Sequence, residues 1–223
     1  MYRIGIIDDN ISEVDDIKTT VYVTWTKSKD LPNEVDFKHY HLSSSPDFKD
    51  ALLGELLDDI EHQTIHSLIV DYKLDSLRTV IEGKDIIDFL RMKVPFFPVV
   101  ILTNAPQGSK KEEVIDPDKV YDKKSFFDLN HDTSSDMAQK IYFNIKRYVN
   151  RRAELEKNLS EALAELTTKP GADSDVSLIV KISQIEEELG DYTITGQSSA
   201  EKAFDLTELR EIIRDLQAIE GEE

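Results

Sequence analysis

Short apolar runs alternate with helically spaced apolar positions over the first two thirds of the chain. Arg3 to Ile7 is a compact run of β type. Ile11 to Lys27 fits a helix with Val14, Ile17, Val21 and Trp25 on one side. Pro32 and Asn33 interrupt the chain after it. Val35 to Leu42 alternates at Val35, Phe37 and His39, the period of a strand. Ser45-Pro46-Asp47 reads as a helix start: a hydroxyl cap, proline at the first helical position, then an acid near the positive end of the helix dipole. That helix runs to about Glu61, with Phe48, Leu52, Leu56 and Ile60 facing inward. Ser67 to Val70 is a buried strand ending at Asp71. Gly83 to Lys93 is a helix closed before Pro95. Pro98 to Leu102 is a continuous apolar strand, and Lys119 to Tyr121 a short one. Continuous apolar strands with helices between them predict a parallel sheet covered on both faces.

After about Ser134 the pattern becomes purely helical. Thr133 and Asp136 resemble a capping box, with Asp in place of the usual Glu. The helix that follows has no breaker before Thr167. Ile145, Tyr148, Arg152, Leu155, Leu159, Ala162 and Leu166 recur at alternating threes and fours, a heptad seam weakened by Arg152 and Ala162. Lys169 to Asp175, containing Pro170-Gly171, is a turn. Leu178, Ile182, Ile185 and Leu189 mark a second helix ending near Gly190. Gly196 to Ser199 breaks the chain again, and Leu206, Leu209, Ile213 and Leu216 mark a third. The expected organisation is an α/β domain over residues 1–150 and a helical output or oligomerisation region over 151–223, its first helix continuous with the last helix of the domain. The tail either folds on itself as a small bundle or pairs with a second copy to give a homodimer.

Composition narrows the function classes. The 223 residues carry 45 Asp+Glu against 27 Lys+Arg, a formal charge of −18. Such a surface repels phosphate backbones, so nucleic-acid binding through a broad basic face is not expected. From Lys140 onward the tail has 11 Lys+Arg against 18 Asp+Glu, which makes it a poor DNA-binding output. With no cysteine, disulfides, thiolate metal sites and cysteine nucleophiles are excluded. No stretch approaches the ~18 apolar residues of a membrane span, and the apolar run at the N-terminus is too short for a signal peptide. A cytoplasmic protein without membrane partners is expected.

Candidate chemistry gathers at the strand ends. Asp8 and Asp9 follow the first strand, Asp71 the third, Thr103 the fourth and Lys123 the fifth. In an open parallel sheet, ligands bind beyond the carboxyl ends of the strands, so these residues should converge. Three carboxylates repel: at about 5 Å and an effective dielectric near 20, each pair costs roughly 3 kcal/mol. The cluster either raises carboxyl pKa values or binds a cation, and hard oxygen ligands favour Mg²⁺. Asp71 is then a carboxylate nucleophile toward phosphorus, Lys123 a positive charge for the transferred group, and Thr103 a hydroxyl donor.

The segments Ile-Ile-Asp8-Asp9, Leu-Ile-Val-Asp71, Val-Ile-Leu-Thr103 and Tyr-Asp-Lys123 resemble the receiver domain of bacterial response regulators. The resemblance implies a flavodoxin-like, doubly wound five-stranded parallel sheet. It implies that Asp8, Asp9 and Asp71, with the backbone carbonyl of Lys73, hold Mg²⁺. It also implies that a histidine kinase phosphorylates Asp71, that Thr103 and Lys123 respond, and that a downstream protein reads the change. Receivers catalyse only their own phosphotransfer and dephosphorylation, so no turnover of external substrates is expected. Gly83-Lys84-Asp85 matches the opening of the family's third helix. The chain departs from the pattern in several places. The stretches from Asp9 to Asp71 and from Asp71 to Gly83 are longer. Asn104 stands where a small residue is usual, and Lys124 where proline follows the lysine. The aromatic switch position falls on Val120 if Lys123 is the lysine and on Tyr121 if Lys124 is. Two other readings stand beside this one: a degenerate receiver acting as a constitutive interaction module, and an aspartate-nucleophile phosphatase. The phosphatase pattern carries a second acid two residues after the nucleophile, where this chain has Lys73. The histidines His39, His41, His62 and His66 read as structural or exposed.

Overall fold

The computed structural model of the chain describes residues 1–43, 45, 47–74, 81–104, 117–168 and 172–194. Five strands, β1 (Tyr2–Ile7), β2 (Val35–His39), β3 (Ser67–Asp71), β4 (Val99–Thr103) and β5 (Val120–Asp122), form one sheet in the order β2-β1-β3-β4-β5. All four pairings are parallel. The helices are α1 (Ile11–Lys27), α2 (Phe48–Glu61), α3 (Gly83–Lys93), α4 (Lys123–Phe127), α5 (Asp132–Thr168) and α6 (Ala172–Gly190).

Side chains alternate across each strand, and both faces are covered. Ile4 and Ile6 of β1, Ile69 of β3 and Val100 and Leu102 of β4 share one core with Val14, Ile17, Val21 and Trp25 of α1 and Ala138, Ile141 and Ile145 of α5. Ile7 and Val70 face the other way, into a core with Leu52, Leu56 and Ile60 of α2 and Ile86 and Leu90 of α3. This is the parallel sheet covered on both faces that the apolar runs predict, in the doubly wound, flavodoxin-like order that the resemblance implies, followed by a helical C-terminal part. Trp25 is fully buried, and its indole N–H donates to the Ala138 carbonyl at 3.0 Å, fixing α5 against α1.

Three local features differ from the sequence reading. Helix α2 opens at Phe48, later than Ser45-Pro46 suggests. Asp47 takes the cap position without a side-chain cap bond, and the Phe48 N–H donates to the Ser45 carbonyl at 3.1 Å. Strand β5 runs one residue further, to Asp122, and a one-turn helix follows at once. Asp122 starts it by accepting from the Ser125 N–H and hydroxyl, both at 2.8 Å. Helix α6 begins at Ala172, well before the first seam residue Leu178.

The heptad seam of α5 is covered within the chain. Ile145, Tyr148, Arg152, Leu155 and Ala162 are buried, and Leu159 and Leu166 half-buried. Helix α6 returns antiparallel along it: Tyr148 Oη donates to the Tyr192 carbonyl at 2.7 Å, while Arg151 grips Glu188 through two 2.7 Å bonds. The end of this hairpin meets the sheet domain. The Phe96 N–H donates to the Asp191 carbonyl at 3.0 Å, and Ile194 enters the core beside Phe97 and Tyr148. Arg152, 7% exposed, donates to the Ile60 and Glu61 carbonyls at the end of α2, at 3.2 and 3.3 Å. The polar residue in the apolar seam therefore serves a helix C-terminus. The residue 150/151 boundary lies inside α5. The third tail helix expected around Leu206 to Leu216 lies outside the described residues. Among the described residues, no helix is long and apolar enough to cross a membrane.

Candidate functional site

The strand order reverses direction at β1, so the loops after β1 and β3 leave toward opposite faces and open a crevice between them. The register fills it. Ile7 pairs with Val70, which sets Asp8 and Asp71 side by side, one residue further on. Asp71 pairs with Leu102, so Thr103 stands one position beyond it. Thr103 pairs with Asp122, and Lys123 follows. Four residues distant in sequence thus reach one edge of the sheet. Asp8, Asp71, Thr103 and Lys123 are all buried, at 1, 8, 2 and 3% exposure.

Lys123 is the centre of the cluster. Its Nζ lies 3.0 Å from Asp8 Oδ2 and 3.1 Å from Asp71 Oδ1, and it donates to Glu13 Oε2 as well. Lys124 is exposed. The lysine that faces the acids is therefore Lys123, which puts Val120 at the position three residues before it. The one-turn helix starting at Asp122 is what turns Lys123 inward. Asp8 uses its second oxygen to accept from the Asn10 N–H at 2.9 Å, and the Lys73 N–H approaches Asp71 Oδ1 at 3.4 Å.

The electrostatics follow from burial and from one ammonium shared by three carboxylates. Burial pushes Asp71 up to about 6, against the pull of the Lys123 charge. Burial also raises Asp8 above the ordinary carboxylate range, partly offset by the Asn10 N–H and by Lys123. Burial works against the charge on Lys123. Its hydrogen bond to Glu13 and the charges of Asp71 and Asp8 outweigh that and hold its pKa above the ordinary lysine value. The lysine stays charged, and excess negative charge remains on the acids.

The acids that could hold a cation differ in membership from the motif. Among the described residues, the three acids that can each offer an oxygen within 4.8 Å of the others are Asp8, Glu13 and Asp71. Asp9 is half-buried and stands outside that group. Three donors on one octahedral Mg²⁺, with bonds of about 2.1 Å, include at least two adjacent pairs about 3 Å apart, so the acids would have to draw together and Lys123 give way for an ion to enter. The donors are hard carboxylate oxygens, which suit a hard divalent cation. Glu13 was not among the residues singled out from the sequence. An acid in the first turn of a helix is common because it complements the dipole, so nothing marks it as part of a site.

The histidines do not join. The His39 Nε2 lies 3.2 Å from the Asp8 carbonyl, and its ring meets His41 edge-on at 4.3 Å. His66 Nδ1 accepts from the Arg3 N–H at 3.1 Å. No family model and no curated protein sequence matches this chain.

Proposed function

We propose that this protein is a signalling receiver that accepts a phosphoryl group on Asp71 and passes the change on through protein–protein contacts. The observation that carries the reading is the buried pairing of Asp71 with Lys123 at 3.1 Å, beside Asp8, at the switch point of the sheet. Asp71 is a carboxylate with a pKa of about 6, ionised in large part at neutral pH and poorly solvated, which suits a nucleophile. Lys123 and the Lys73 N–H both address Oδ1, so Oδ2 is the oxygen proposed to attack phosphorus, with the leaving group departing on the opposite side. Asp8 and Asp71, with Asp9, would hold Mg²⁺, which supplies charge neutralisation and orientation of phosphate oxygens. The Lys123 ammonium would move from the carboxylate to the new phosphoryl oxygens, and the Thr103 hydroxyl would donate to them. The proposed donor is a histidine kinase and the proposed reader a downstream protein, in the cytoplasm.

One observation favours the second reading, a constitutive interaction module. Lys123 already donates to Asp8 and Glu13 and forms an ion pair with Asp71, so the cluster is an ion network held together by the chain itself. Thermal melts with Mg²⁺ and beryllofluoride, a phosphoryl mimic, separate the two. Receiver function predicts a melting temperature raised by the pair together, and no such rise in Asp71→Asn. A constitutive module gives no rise in either protein.

A further inference from the structure

We propose that Glu13 is a positioning residue: it keeps the Lys123 ammonium seated in the site when a divalent cation takes Asp8 and Asp71. This rests on the cation-binding part of the function proposed above. The Lys123 ammonium donates to Asp8 Oδ2 and Glu13 Oε2 and forms an ion pair with Asp71 Oδ1. Asp8 and Asp71 are the strand-end acids that a cation would claim. A cation there takes two partners from Lys123 and sets a like charge beside it. Of its partners among the described residues, Glu13, from the first turn of α1, is then the one left to hold the lysine.

Glu13 is built for that task. Its other oxygen, Oε1, accepts from Asn10 Nδ2 at 3.3 Å, while Asn10 caps α1 by accepting from the Ser12 N–H at 3.1 Å. The carboxylate is thus tethered at one oxygen to a helix cap and presents the other to Lys123. It is also the most exposed of the three acids, with a quarter of its side chain open (26%), against 0% for Asp8 and 10% for Asp71. Its charge therefore costs the least to maintain once Asp8 and Asp71 are engaged elsewhere. A lysine kept at the mouth of the site by Glu13 stays within reach of a phosphoryl group arriving on Asp71.

The test uses the full chain and Mg²⁺ alone. Each protein is treated with an amine-acylating reagent, and Lys123 labelling is read by peptide mass spectrometry with and without Mg²⁺, at concentrations shown by calorimetry to saturate. In the wild type, labelling of Lys123 should be slow and change less than about twofold with Mg²⁺. In Glu13→Gln it should be slow without Mg²⁺ and rise about tenfold or more with it. Glu13→Asp keeps the charge but shortens the reach, and should follow the Gln variant. A rise in the wild type as large as in the variants would make Glu13 a ligand of the ion and overturn the proposal. Fast labelling of the variants with and without Mg²⁺ would assign Glu13 to the fold alone and overturn it too, as would the absence of Mg²⁺ binding by the wild type. Intact mass after exposure to a phosphodonor reads the function separately. The expected labelling pattern without phosphorylation keeps the Glu13 inference and sinks the phosphoacceptor.

Discussion

Gly83, the first residue of α3, packs against the backbone of Asp71. A Cβ at position 83 would fall deep inside the radius of the Asp71 carbonyl oxygen and 3.0 Å from the Tyr72 Cα. Those are backbone atoms and cannot swing aside. The glycine lets α3 approach the end of β3 closely, and so sets the backbone that carries the proposed phosphoacceptor. Gly83→Ala should therefore cost about 1–3 kcal/mol by overpacking, which for a chain of this size lowers the melting temperature by roughly 2–4 °C per kcal/mol. Thermal unfolding measures it. An unchanged melting temperature would mean that α3 does not sit this close.

The raised pKa of Asp71 has a defined sign in stability. Its folded value is about 6 against an ordinary 3.8, so the folded protein holds a proton that the unfolded chain releases first. The stabilisation is complete below about pH 4 and is lost as pH rises through about 6, by roughly 3 kcal/mol at most. Asp71→Asn, which cannot ionise, should lack this loss. Urea unfolding in a chelator should show variant and wild type alike near pH 4, with the variant more stable at pH 7. Parallel pH profiles would mean that Asp71 is solvated.

Much of this site was legible as strand ends. Asp8, Asp71, Thr103 and Lys123 each follow an apolar run, and a parallel sheet brings such positions to one edge whatever their separation in sequence. Helices α1 and α3 were legible for a similar reason: their apolar spacing is regular and Pro95 marks the end of the second. Three things were not legible. The turn at Asp122 that aims Lys123 rather than Lys124 inward depends on a cap used by an element only one turn long. Glu13 looks like any acid in a first turn, and its role appears only once Lys123 is seen beside it. The heptad seam is compatible with a second copy or with a hairpin, because both bury the same stripe. Only the return of α6 along Tyr148 and Arg151 tells them apart within one chain.

Arg152 should matter more than a seam position normally would. Arg152→Met keeps the aliphatic stem but strips the donors from the Ile60 and Glu61 carbonyls. A loss of about 2 kcal/mol is expected in denaturant unfolding. A cost below ~0.5 kcal/mol would show that water serves these carbonyls equally well.

A chain cut after Asn150 should keep its sheet but lose stability. The cut removes Tyr192 and Ile194, which cover Tyr148 and Phe97, and Arg152 with them. Circular dichroism should retain the α/β signature, with a melting temperature several degrees lower. An unchanged melting temperature would make the hairpin an independent appendage.

The central claim is that Asp71 accepts a phosphoryl group with the help of a divalent cation. Intact mass spectrometry after incubation with a small phosphodonor such as acetyl phosphate tests it most directly. The account predicts one added phosphoryl group on the wild type with Mg²⁺, none when a chelator removes the ion, and none on Asp71→Asn under either condition. A wild type that stays unmodified at saturating donor and Mg²⁺, or an Asp71→Asn protein modified to the same extent, would contradict it.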